Sequence, residues 1–121
     1  MANIRSEQTE HIKVVHWVKS KTCLKVIHIR NEGVRGYAEQ AIIKRMGLCK
    51  GASDLFFPAS CGAFKGLFLE LKSFSGKLSP EQTAFLDEMT QLGYLAVCCW
   101  GAEAAIKFIQ EAYGLAREDN R

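Results

Sequence analysis

The pattern of apolar and polar positions divides the chain into eight segments. Val14, Val15 and Val18 mark one side of a helix expected over residues 7 to 19, with Ser6 placed to cap it. From Leu24 to Arg30 apolar and polar residues alternate with β-branched enrichment, which predicts a strand, and Asn31-Glu32-Gly33 reads as a turn. A second helix is predicted over 37–46, ended by Gly47 where a left-handed residue is needed. Two strand-length apolar runs follow, Leu55-Phe56-Phe57 and Leu67 to Lys72, separated by Pro58 and a glycine-containing loop. Ser79-Pro80-Glu81-Gln82 is a capping box with proline at the first helical position, so a helix should run from there to Leu92 and stop at Gly93. Tyr94 to Trp100 is a continuous apolar strand, and Ala102 to Tyr113 an amphipathic helix ending at Gly114. The tail from Leu115 is expected to fray.

The order helix, strand, helix, two strands, helix, strand, helix implies an α/β fold, a mixed sheet covered by helices. With 121 residues there is room for a single domain, residues 1–121 with its core over about 6–113. The apolar share of 48% and charged share of 24% suit a globular chain. No apolar run is long enough to span a bilayer and the opening residues lack a signal peptide's apolar stretch, so no membrane partner is expected and the cytoplasm is the default location. Cys23, Cys49, Cys61, Cys98 and Cys99 have no zinc-ligand spacing and are expected to be reduced, mostly buried thiols. His11, His16 and His28 likewise match no ligand pattern.

A net charge of +3 permits a nucleic-acid partner without demanding one. The clustering is more telling: Lys44, Arg45, Lys50, Lys65, Lys72 and Lys77 lie in a stretch whose acids are Asp54 and Glu70. Alternation along the run at 67–72 sets Glu70 and Lys72 on one face and Leu67, Leu69 and Leu71 on the other. If the two central strands pair as a hairpin, Asp54 approaches Glu70. Two carboxylates meeting at one point call for a cation, and hard oxygen donors suit Mg²⁺ or Mn²⁺. The competing reading is a solvated Glu70–Lys72 pair on an outer sheet face.

Three stretches, Gly51-Ala52-Ser53-Asp54-Leu55-Phe56-Phe57-Pro58, Gly66-Leu67-Phe68-Leu69-Glu70-Leu71-Lys72 and Gly76-Lys77-Leu78-Ser79-Pro80-Glu81-Gln82, resemble the VRR-NUC family, the virus-type replication-repair nucleases. The resemblance covers about residues 6 to 112. It implies a restriction-endonuclease-like, PD-(D/E)XK fold, an α-β-β-β-α-β core with one helix added. It further implies that Asp54, Glu70 and the backbone carbonyl of Leu71 bind the metal, that Lys72 serves the attacking water, and that Gln82 supports the site. The family's first-helix glutamate corresponds to Glu7, with Glu10 the alternative; His11 stands where the family has glutamine, and Ser53 where it has proline. The Asn-Glu-Gly loop at 31–33 is expected to touch the DNA backbone.

The resemblance thus points to an Mg²⁺- or Mn²⁺-dependent, structure-specific DNA endonuclease. The expected substrate is the four-way (Holliday) junction, cut by a homodimer, since symmetrical cutting needs two sites about a two-fold axis. A monomeric flap or nicking nuclease and an inactive branched-DNA scaffold are the alternatives. A phage or prophage origin, acting inside a bacterial host cell, is implied by the resemblance alone.

Overall fold

The computed structural model describes residues 4–30 and 37–115. The described elements are α1 (Ile4–Lys21), β1 (Ile27–His28), α2 (Tyr37–Arg45), β2 (Leu55–Phe57), β3 (Leu67–Lys72), α3 (Pro80–Gln91), β4 (Leu95–Trp100) and α4 (Ala102–Ala112). Their order is the one predicted. The strands form one sheet in the order β1-β2-β3-β4, antiparallel across the first two junctions and parallel across the last. A parallel pair needs a crossover rather than a hairpin, and α3 supplies it.

Alternation along β3 decides what each sheet face does. Leu67, Leu69 and Leu71 are almost fully buried on one face, where Val14 and Val18 of α1 and Ala102, Ala105 and Ile109 of α4 meet them. Burying each such leucine contributes about 2 kcal/mol, so this layer holds α1 and α4 against the sheet. On the other face Phe56 stacks on Phe68 at 4.4 Å between centroids, and Phe68 meets Phe85 of α3 edge-on at 5.3 Å. That aromatic layer anchors α3.

The capping box forms as the sequence requires: the Ser79 hydroxyl accepts from Gln82 N, and Gln82 Oε1 accepts from Ser79 N at 2.8 Å. Gly47, Gly93 and Gly114 all adopt positive φ just past the ends of α2, α3 and α4.

Several boundaries differ from expectation. Ser6 lies inside α1 rather than capping it, because the helix begins earlier, at Ile4. The strand expected over 24–30 shrinks to two residues, since its partner β2 is only three residues long and offers little ladder to pair with. Leu24 and Val26 still pack against the core while Cys23, Lys25 and Ile27 are more exposed, so the alternation is real although the ladder is short. Cys61 and Cys99 are buried and Cys98 partly so, but Cys23 and Cys49 are exposed, correcting the expectation of mostly buried thiols. The expected turn at Asn31–Gly33, its proposed DNA contact and the tail beyond Leu115 lie outside the described residues.

Candidate active site

The β2–β3 register pairs Leu55 with Leu69 and Phe56 with Phe68. Continuing it by one residue sets Asp54 opposite Glu70, on the face that also carries Lys72. The hairpin therefore brings together what the sequence separates by sixteen positions. Asp54 Oδ2 accepts a hydrogen bond from Leu71 N at 2.8 Å, which holds the carboxylate beside the strand although β2 itself begins one residue later. Gly51 makes the approach to Asp54 possible. Its φ is +93°, and a Cβ there would stand 2.5 Å from the backbone oxygen of Glu81, so the chain before Asp54 is pressed onto the start of α3.

Glu70 is only 3% exposed, which excludes the reading of a solvated surface pair. Its Oε2 accepts from Gln82 Nε2 at 3.1 Å and lies 3.8 Å from Lys72 Nζ. Its Oε1 is buried with no hydrogen-bond partner among the described residues. Burial first, and the charge of Asp54 second, push its carboxyl up to about 8, with Lys72 only partly offsetting them. A carboxylate held against another carboxylate, with one oxygen unsatisfied, is under-neutralised by the protein's own groups.

That imbalance is the test of whether a divalent cation fits. Among the described residues no three His, Cys, Asp or Glu side chains converge to make a cage of side chains alone. Two carboxylates are present, together with the Leu71 carbonyl. Lys72 O accepts from Gly101 N and Gly66 O from Leu95 N, so these residues of the β3 run bond toward β4. Leu71 alternates with them and presents its backbone toward the Asp54 side. One or two carboxylates, a carbonyl and positions left for water and phosphate suit Mg²⁺ or Mn²⁺.

A cavity of about 980 Å³ opens over these groups, lined among others by Glu7, His11, His28, Lys50, Asp54 and Lys72. The structure separates the two candidate glutamates of α1. Glu7 faces the cavity, and a Cβ on Gly76 would lie 3.3 Å from its Oε2 and 3.2 Å from Lys72 Cδ, which brings Glu7 and Lys72 to the same glycine. Glu10 does another job: its Oε1 accepts from Ala102 N at 2.8 Å, and its other oxygen pairs with Lys13 at 3.2 Å. The N-cap of α4 is Gly101, which has no side chain to offer the cap, so Glu10 supplies that acceptor from α1. The bond from Ala102, more than the Lys13 contact, holds the Glu10 carboxyl below its ordinary range.

Gln82 links fold and site. Its side-chain oxygen closes the capping box while its nitrogen holds Glu70, so one residue both starts α3 and orients a site carboxylate. Sequence spacing does not reveal the pairing of His11 with His28, which lie on different elements yet meet edge-on at 4.5 Å on the cavity wall. Burial, followed by the neighbouring His28, lowers the His11 pKa. His28 shares its parity with the core-packed Leu24 and Val26 rather than with the exposed Lys25 and Ile27, so the alternation of the β1 segment does not single it out.

A mixed sheet with an acid ahead of one strand and Glu-x-Lys on its antiparallel neighbour is the architecture of restriction-endonuclease-like, PD-(D/E)XK nucleases. The family model of the VRR-NUC domain matches residues 2–103, and the chain belongs to that family of nucleases. A solved structure of a VRR_NUC domain protein is similar over 94% of this chain and 93% of its own, with a TM-score of 0.79 and 26% identity. No curated protein matches the chain. Among the described residues no helix is long and apolar enough to cross a membrane.

Proposed function

We propose that this nuclease is a metal-dependent DNA endonuclease specific for branched DNA. The observation that carries the metal-dependent chemistry is the under-neutralised pair Asp54 and Glu70, set beside Lys72 in an open cavity. Asp54, Glu70 and the Leu71 carbonyl would hold Mg²⁺ or Mn²⁺, with Glu7 the further acidic group on that side. When bound, the cation supplies Lewis acidity to the phosphodiester and offsets charge developing there.

The protein's own groups do the rest. Gln82 Nε2 fixes one oxygen of Glu70, and the other has no hydrogen-bond partner among the described residues. Lys72, with its side chain only 12% exposed, keeps its ammonium at the Glu70 carboxylate, where it orients the attacking water and stabilises negative charge on the phosphoryl oxygens. Lys50 on the cavity wall offers a cation for the DNA backbone.

The four-way junction is the substrate we favour, cut in paired fashion by a homodimer, because two related strands require two sites about a two-fold axis. The resemblance to virus-type replication-repair nucleases supports a phage or prophage source and action inside the bacterial host cell.

The test is cleavage of a labelled four-way junction and a matched linear duplex in Mg²⁺, Mn²⁺ or EDTA, by wild type and Lys72→Ala. Metal-dependent paired cuts in the junction are expected, reduced about 10²- to 10³-fold in the variant. Single cuts by a monomer would replace the junction reading with flap or nicking activity. Junction binding without cuts in either metal would leave a scaffold.

A further inference from the structure

The loop between β3 and α3 is built tightly against the site, yet it presents a bare aromatic ring. Phe74 is 81% exposed, two residues beyond Lys72, while Ser73 before it is 2% exposed. The loop is anchored on both sides of the ring. Gly76 N donates to Ser73 O at 2.9 Å, and Trp100 Nε1 donates to Gly76 O at 2.8 Å. Gly76 in turn packs against Lys72 and Glu7. One edge of the Phe74 ring rests over Gly101, where a Cβ would stand 3.0 Å from its Cζ.

An exposed phenylalanine leaves apolar surface in water, a free-energy cost that covering the ring would remove. Ser75 and Lys77, its neighbours along the loop, are also exposed, and Trp100, 41% exposed, is tied to the same loop through Gly76, so the apolar surface here is a pair of aromatic rings among polar loop residues. Exposed aromatic rings at a loop that also carries the exposed Lys77 have the form of a base-stacking site. Two residues of chain span at most about 7 Å, roughly two base steps at about 3.4 Å, so a base stacked on Phe74 would flank the phosphodiester held at Lys72.

We propose that Phe74 is a specificity-determining residue that stacks on an unpaired base of the DNA next to the cleaved bond. This rests on the reading of the protein as a DNA endonuclease. In a continuous duplex every base already has its stacking neighbours, and at a branch point one can be surrendered to the ring. Phe74 therefore favours branched DNA over linear duplex.

The experiment is fluorescence anisotropy in EDTA at fixed salt. It compares a flap-bearing duplex with a blunt duplex of the same sequence, for wild type, Phe74→Ala and Phe74→Trp. A parallel set carries 2-aminopurine at the branch. Phe74→Ala is expected to weaken flap binding about tenfold or more with duplex binding unchanged, and to abolish the change in 2-aminopurine emission; Phe74→Trp keeps both. Equal weakening on the two DNAs, no weakening on either, or a change in oligomeric mass with Phe74→Ala overturns the assignment while leaving the nuclease reading intact. Failure of the wild type to bind either DNA overturns both.

Discussion

Replacing Glu70 by glutamine tests the electrostatics of the site without requiring a substrate. The ordinary carboxyl value is 4.5, and in the folded protein it is pushed up to about 8, chiefly by burial and then by Asp54. The native state therefore binds this proton more tightly than the unfolded chain. The stability associated with it is fully present below about 4.5 and is lost as pH rises, at up to about 1.4 kcal/mol per pH unit, levelling off above the folded value. Between pH 6 and pH 9 the loss amounts to about 2–3 kcal/mol. For a chain of this size that corresponds to roughly 10 °C in melting temperature. Glutamine keeps an acceptor for Gln82 and has no charge to desolvate. Melting curves in EDTA at several pH values should show Glu70→Gln more stable than wild type, with the gap widening by that amount toward pH 9. Adding Mg²⁺ should raise the wild-type melting temperature at pH 8 and leave the variant nearly unchanged, with proton release on binding visible by calorimetry in buffers of different ionisation enthalpy. A gap that stays constant or narrows with pH would refute the reasoning, since Lys72 would then outweigh both burial and Asp54.

Further expectations follow from the same geometry. Glu10→Gln should cost about 1 kcal/mol of stability through the weakened cap of α4, an effect that fades as pH falls through the lowered carboxyl value of Glu10, while leaving most nuclease activity. Glu7→Gln should do the reverse, abolishing activity with little change in melting temperature, and the two variants measured side by side decide between the glutamates. Gln82→Ala removes the capping-box acceptor and the Glu70 contact together, so both stability, by about 1 kcal/mol, and cleavage should fall; a loss in only one would uncouple the two roles. Gly51→Ala adds a Cβ onto the Glu81 backbone at positive φ and should destabilise the chain by about 2 kcal/mol or more, measured by denaturant unfolding.

The parts of this protein whose causes are local are legible in the order of its residues. Ser79-Pro80-Glu81-Gln82 starts α3 because its cap bonds lie within four residues, and Gly47, Gly93 and Gly114 close helices because only a residue without Cβ takes positive φ there cheaply. The period of two in β3 was enough to split Glu70 and Lys72 from the leucines. The family resemblance rests on the same continuous stretches, so it is legible in the order of residues alone.

Tertiary structure decided everything that depends on which distant segments meet. That Glu70 is buried rather than solvated follows from Asp54 just ahead of β2, Lys72 on its own strand and Gln82 of α3 closing around it. Glu7 and Glu10 are nearly indistinguishable in sequence, yet Glu10 is occupied by the backbone of Ala102, ninety-two residues away, and Glu7 is left to the cavity. The strand at 24–30 kept its alternation but lost most of its ladder, because strand length is set by the partner as well as by propensity. Local patterns specify faces and ends of elements; contacts between elements, made only after the chain has closed on itself, specify which charged groups end up without water and must find one another.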